Sequence, residues 1–173
     1  MRPPRASRAI LLAALALAVA AGGCGYTLQG NLPDHLKTVT VPVFKNRTTE
    51  PGAENTITAA VINAFTTNGR LKVVSVDRAD CILDGELTGY QVQSLTYDSK
   101  LNLRSYSLTV TMNVRFRDLR RTELIWQQDA LVENVTFDVA GQVSDTISRE
   151  EGAVKQAALQ IGRKIVNRAV DRF

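Results

Sequence analysis

Residues 103–116, LRSYSLTVTMNVRF, decide how the chain is read. Tyr106, Leu108, Val110, Met112, Val114 and Phe116 occupy every second position, with Ser107, Thr109, Thr111, Asn113 and Arg115 between them. Successive side chains of a strand point to opposite faces, so this alternation specifies a long strand with one apolar and one wet side. An antiparallel sheet tolerates a solvated face, whereas a parallel sheet is covered on both. The apolar face then needs a second layer.

The flanking segments supply sheet and cover. Upstream, Cys81 to Thr96 reads as another strand, with Gly85 and Gly89 as places for bulges. YDSKLN, residues 97–102, is the turn between the two. Downstream, DLRRTE turns the chain into a strand from Leu124 to about Phe137, carrying Trp126. Nearer the N-terminus, KTVTVPVF (Lys37–Phe44) is rich in β-branched residues, and Pro42 marks an edge position or the strand's end. The loop KNRTTEPGAEN follows, punctuated by Pro51 and Gly52. Ala53 to Asn68 is a helix with Ile57, Val61, Ala64 and Phe65 on one face, stopped by Asn68-Gly69. LKVVSV, Leu71–Val76, is a short strand. At the C-terminus, Val154, Ala158, Ile161, Ile165 and Ala169 form the stripe of an amphipathic helix, with Ser148 and Glu151 spaced as a capping box. Lys155, Arg163 and Lys164 lie off the stripe. The order β-α-β-β-β-α gives a two-layer α+β sandwich, a mostly antiparallel sheet backed by two helices.

The N-terminal residues have a different character. Arg2, Arg5 and Arg8 precede thirteen apolar residues, Ala9–Ala21, and the stretch Ala20–Gly23 is small throughout. A basic start, a short apolar run and a small-residue site read as a secretory leader. The run is short for a transmembrane helix, which needs about 20 residues. The boundary Ala21-Gly22-Gly23-Cys24 resembles the lipobox of bacterial lipoproteins, with Ala21 where leucine is usual. The resemblance implies cleavage before Cys24 and acylation of its thiol and new amino group. With Gly25 in place of an aspartate, it also implies sorting to the periplasmic face of the outer membrane. The expected organisation is therefore a leader over residues 1–23, a lipidated N-terminus and tether over 24–36, and one domain over 37–173. Removing the leader's three arginines from 21 basic residues leaves 18 against 17 acids, so no nucleic-acid footprint survives. Cys81 is then left without a partner and reads as a small buried hydrophobe.

Chemistry-bearing motifs are sparse. The single histidine, His35, falls in the tether and reads as a solvated side chain. Zinc and Ser-His-Asp chemistry both need partners at supporting spacing, and no metal or cofactor is expected. Asp80, Asp84 and Glu86 have the even spacing of one strand face, which suits a solvated edge better than a carboxylate pair. No enzymatic activity is expected. Lys100, Arg104, Arg115, Arg117, Arg120 and Arg121 form a basic stretch. It reads as the wet side of an amphipathic strand and its turn, or as a docking strip for phosphate-bearing lipid.

CGYTLQG at Cys24–Gly30, VTVPVFKNRTTEPGAENTITAAVINAF at Val39–Phe65, DRADCILDGELTGYQ at Asp77–Gln91 and YSLTVTMNVRFRD at Tyr106–Asp118 together resemble the LptE family of lipopolysaccharide-assembly lipoproteins. The resemblance spans residues 24–173. It implies a small sheet backed by two helices, seated as a plug in the outer-membrane barrel LptD. It also implies a part in assembling that barrel and in delivering lipopolysaccharide to the outer leaflet, with a lipid anchor at Cys24. Lys100 and Arg104 fall in the region where some members bind lipopolysaccharide. Where the family has a second basic site, before the last helix, this chain has Gly141, Gln142 and Ser144. The alternative is another outer-membrane assembly or secretion lipoprotein, resembling curli-secretion or penicillin-binding-protein activators.

Overall fold

The computed structural model describes residues 32–97, 103–139 and 143–171. Cys24, Lys100, the leader and the loop with Gly141 and Gln142 lie outside them. Six strands and two helices follow in order: β1 (Thr38–Thr40), β2 (Lys45–Asn46), α1 (Ala53–Asn68), β3 (Lys72–Val73), β4 (Cys81–Tyr97), β5 (Leu103–Asp118), β6 (Glu123–Asp138) and α2 (Val143–Asp171). A single 3₁₀ turn, Val76–Arg78, precedes β4. The sheet runs β3-β1-β4-β5-β6, and β2 also pairs with β4. β4, β5 and β6 form an antiparallel meander, whereas β1, β2 and β3 join in parallel. The two-layer α+β arrangement holds, with more strands than the sequence order implied.

That order counts four strands, one fewer than the five segments read as strands; the sixth comes from Pro42. Of the segment read as one strand, Lys37–Phe44, only Thr38–Thr40 is strand, pairing with β4 at Cys81–Ile82; the second pairing, at Glu86–Leu87, is made by Lys45–Asn46, which read from sequence as loop. Proline has no amide hydrogen to give the ladder, so pairing lapses around it and resumes at Lys45. Phe44 uses the gap. It is 3 % exposed and lies over Gly85, where an added Cβ would stand 2.6 Å from the ring's Cγ and Cδ1. The Phe44 amide donates to Thr58 Oγ1 at 3.1 Å, fixing the backbone to α1. Gly85 therefore marks no bulge; it is the socket for this ring.

Bulges occur elsewhere. Thr88 is the extra residue of β4 between Leu87 and Gly89. In β6 an extra residue falls between Gln128 and Leu131, where Ala130 takes φ +51° and its amide donates to Asn113 Oδ1 at 2.9 Å. An extra residue reverses which parity faces the core. In β4 the core side passes from Leu83 and Leu87 to Tyr90, and in β6 from Trp126 to Leu131, Val135 and Phe137. In β5 the extra residue is Arg104, at its first turn-side step, and the strand keeps one parity from Leu108 to Phe116.

Both helices cover this core face. α1 is bounded by Gly52 at φ +87° and Gly69 at φ +74°, whose amide donates to Phe65 O at 3.0 Å. These left-handed positions suit glycine and stop the helix where the sequence indicated. α1 buries Ile57, Val61 and Phe65; α2 buries Ala157, Ala158, Ile161, Ile165 and Ala169. The helices also meet each other, closely enough that a Cβ on Gly162 would stand 3.0 Å from Ala60 O. α2 starts at Val143, so Ser148 lies inside it and the expected capping box is not its N-terminus. Glu150 instead accepts the Tyr90 hydroxyl at 2.9 Å, which carries α2 onto the sheet. Among the described residues no helix is long and apolar enough to cross a membrane.

Candidate functional site: the uncovered sheet face

With both helices on one side, no described residue covers the other side of the sheet. Asp84 and Glu86 of β4 and Asn113, Arg115 and Arg117 of β5 alternate with core residues and project onto it. Lys45 and Arg47 arrive from β2 and its end. Arg117 donates to Asp84 Oδ2 through Nη2 at 2.5 Å and Nε at 3.1 Å, and Arg47 Nε donates to Glu86 Oε1 at 2.8 Å. The Arg47 hydrogen bond holds Glu86 below the usual carboxylate range against some desolvation, helped by the charges of Arg47, Lys45 and Arg115. A groove of about 490 Å³ runs among Val43, Lys45, Asp84, Glu86, Arg115 and Arg117. Its walls can hold an anionic or hydrogen-bonding partner through charge-assisted contacts.

At one end of this face a polar cluster pins the incoming chain. Asp80 Oδ2 accepts the amides of Lys37 and Thr38 at 2.9 and 3.0 Å and the Thr38 hydroxyl at 2.9 Å. Its Oδ1 meets Arg120 Nη2 at 2.5 Å. Asp118 accepts the amides of Arg120 and Arg121 at 2.8 and 3.0 Å and pairs with His35 Nε2 at 2.5 Å. Burial alone would raise both carboxyls. The hydrogen bonds outweigh it and leave both below their ordinary range: Lys37, Thr38 and Arg120 at Asp80, and His35 and the turn amides at Asp118. His35 is therefore a partnered side chain and not the solvated one expected, because Leu36 beside it is buried and brings it to the sheet. Cys81 is fully buried; its thiol donates to Thr38 O at 3.1 Å, and burial, then the charges of Asp80 and Asp118, push it up to about 12. The thiol stays protonated at neutral pH, as befits a packing residue.

The basic stretch read from sequence divides in space. Arg104 is exposed near the β4–β5 tip, and Lys100 lies outside the described residues. Arg115 and Arg117 stand on the open face about 36 Å along β5 from Arg104, and Arg120 and Arg121 sit in the far turn. Of the acids, Asp84 and Glu86 share the open face, while Asp80 is engaged in the buried cluster. Sequence reasoning missed Lys45 and Arg47, because their segment read as loop; the signal was two basic residues directly after a proline-broken strand. Among the described residues no three His, Cys, Asp or Glu side chains are placed to hold a metal ion.

The family model described as "LptE: Lipopolysaccharide-assembly" matches residues 36–169. No curated protein matches the sequence. Similar folds occur among solved structures of low identity. The rare lipoprotein B of Shewanella oneidensis is 16 % identical, with a TM-score of 0.51 over 75 % of this chain and 92 % of that one. The PelC dodecamer subunit of Paraburkholderia phytofirmans is 14 % identical, with a TM-score of 0.52 over 81 % and 93 %. A protein of Xanthomonas campestris is 13 % identical, with a TM-score of 0.54 over 80 % and 88 %.

Proposed function

Because the chain belongs to the LptE family of lipopolysaccharide-assembly proteins, we propose that it is a lipid-anchored, non-catalytic plug of the outer-membrane barrel LptD, and that it helps deliver lipopolysaccharide to the outer leaflet. The observation that carries this reading is the bare, charged face of a long meander whose other face is sealed by helices. A wet barrel lumen is polar inside, and a rigid wedge with a hydrogen-bonding surface fits it without burying unpaired apolar area. Asp84 and Glu86, each paired with an arginine, present fixed polar groups and leave little for acid–base work.

Cys24 supplies the anchor. One acyl chain binds membranes only marginally, and two or more make attachment durable. Cys24→Ala is expected to lower the outer-membrane fraction by about tenfold or more, read by fractionating cells; an unchanged distribution would remove the anchor from the reading. Lys100 and Arg104 are the proposed lipopolysaccharide contacts. Lys100→Glu with Arg104→Glu should weaken lipopolysaccharide binding by about a hundredfold or more, since two charge-assisted bonds are lost and each contributes roughly 1.5–3 kcal/mol. Barrel association should persist. Equal lipid affinity in a direct binding assay would exclude these two side chains. The reading as a whole is tested by purifying the lipidated chain from cells. Recovery of one heat-modifiable barrel supports it; recovery of a secretion ring or a cell-wall synthase instead favours the other lipoprotein classes.

A further inference from the structure

The sheet has two edges, and they differ. On one side it ends in β3, two residues long. On the other, among the described residues, it ends in β6, sixteen residues long. Proteins usually blunt an exposed edge with lysine, proline, a bulge or brevity, because unpaired amides and carbonyls template another strand. β6 contains no lysine, arginine or proline. Its bulges end at Ala130, and Leu131–Asp138 then pairs one-to-one with Met112–Ser105.

The register says which groups are open. Val139 N donates to Arg104 O at 2.9 Å, one step beyond the Ser105–Asp138 pair. In an antiparallel ladder the residues that bond inward alternate with those that bond outward. Val139, Phe137, Val135, Glu133 and Leu131 therefore bond toward β5. Val132, Asn134, Thr136 and Asp138 turn their amides and carbonyls to the free edge, and their side chains are exposed on the bare face.

Charge decides what can pair there. β6 holds Glu123, Asp129, Glu133 and Asp138 and no base. Glu133 is matched by Lys164 of α2 at 2.5 Å. Asp129 and Asp138 are exposed and bracket the regular stretch. No register of one β6 against a second sets an acid opposite a base, so self-pairing gains no charge complementarity and sets acids near acids. A strand with basic residues toward its ends complements the edge instead.

We propose that the edge of β6 at Val132–Asp138 is a β-augmentation site that takes an extended, basic segment of the barrel partner, adding a seventh strand to the sheet. This rests on the plug reading for the partner's identity. The test is amide hydrogen exchange on the full-length lipidated chain, alone and in the co-purified barrel complex. In the free chain the amides of Val132, Asn134, Thr136 and Asp138 should exchange fast, and those of Glu133, Val135 and Phe137 slowly. In the complex the first set should slow by about a hundredfold or more. A complex that forms with those four amides still fast overturns the augmentation and leaves the plug reading standing. Failure of any barrel complex to form overturns both. Protection that rises with protein concentration in the absence of barrel assigns the edge to a second copy and overturns the proposal. As a charge arm, Asp129→Lys with Asp138→Lys should weaken barrel association by about tenfold at low salt, with an unchanged melting curve. Undiminished association would remove the basic-strand assignment.

Discussion

Gly85→Val is expected to lower the unfolding free energy by about 3 kcal/mol, near the top of the range for overpacking a core. The reason is the Phe44 ring, whose Cγ, Cδ1 and Cδ2 would all lie within 2.8 Å of the new Cβ. Turning the ring about its own axis leaves Cγ in place, and the Phe44 amide is tied to Thr58, which in turn donates to Glu54 O at 2.6 Å. The ring can leave only by moving β2 away from α1. Phe44→Ala should cost about 3–5 kcal/mol through lost burial and a residual cavity. The double variant should be less damaged than the sum of the two, because valine at 85 then grows into the space the ring left. Urea titrations of the four proteins measure this cycle. Additive losses would show that ring and glycine do not share one volume.

The second large effect is expected at Asp80. Asp80→Ala removes the acceptor for two amides and a hydroxyl and frees the Arg120 guanidinium. Hydrogen bonds to a charged group contribute roughly 1.5–3 kcal/mol each, and the stranded donors regain water only in part, so a net loss of about 3 kcal/mol is expected. Asp80→Asn, which keeps an acceptor oxygen, should lose less. The same carboxylate makes stability depend on acid. Asp80 and Asp118 both titrate lower in the folded chain than in the unfolded one. Their stabilisation is complete above the unfolded carboxylate value of about 4 and is lost as pH falls through the folded values. Denaturant midpoints at pH 7, 5 and 3 should therefore drop mainly in the last interval, and the drop should be smaller in Asp80→Ala. An equal drop in both proteins would place the acid sensitivity elsewhere.

How far the sequence could be read follows from where the bulges lie. β5 was legible because no extra residue breaks its alternation between Ser105 and Asp118. α1 was legible because glycines in left-handed positions stand at both ends. β4 and β6 were found as strands, but their core residues change parity at Thr88 and Ala130, so a single alternating pattern does not describe either. A non-glycine residue at positive φ, as at Ala130, leaves no mark in composition. Gly89 does stand next to a bulge, whereas Gly85 has a packing reason that only the tertiary position of Phe44 discloses. The candidate site was half visible. Arg115, Arg117, Asp84 and Glu86 follow from strand parity, but Lys45 and Arg47 join them only because β2 returns to β4 after the proline. His35 and Asp118 are 83 residues apart, and no local pattern connects them.

The placement of β1 makes the two ends of the described chain unlike as handles. β1 lies between β3 and β4, with ladders on both flanks and the Asp80 carboxylate gripping Lys37 and Thr38. A pull along the strand from the N-terminal side loads those bonds together, in shear. A pull on the other end unwinds α2 turn by turn. A tug from the side where a membrane anchor would sit therefore meets the stiffer grip, and force reaches the sheet before it can peel a helix.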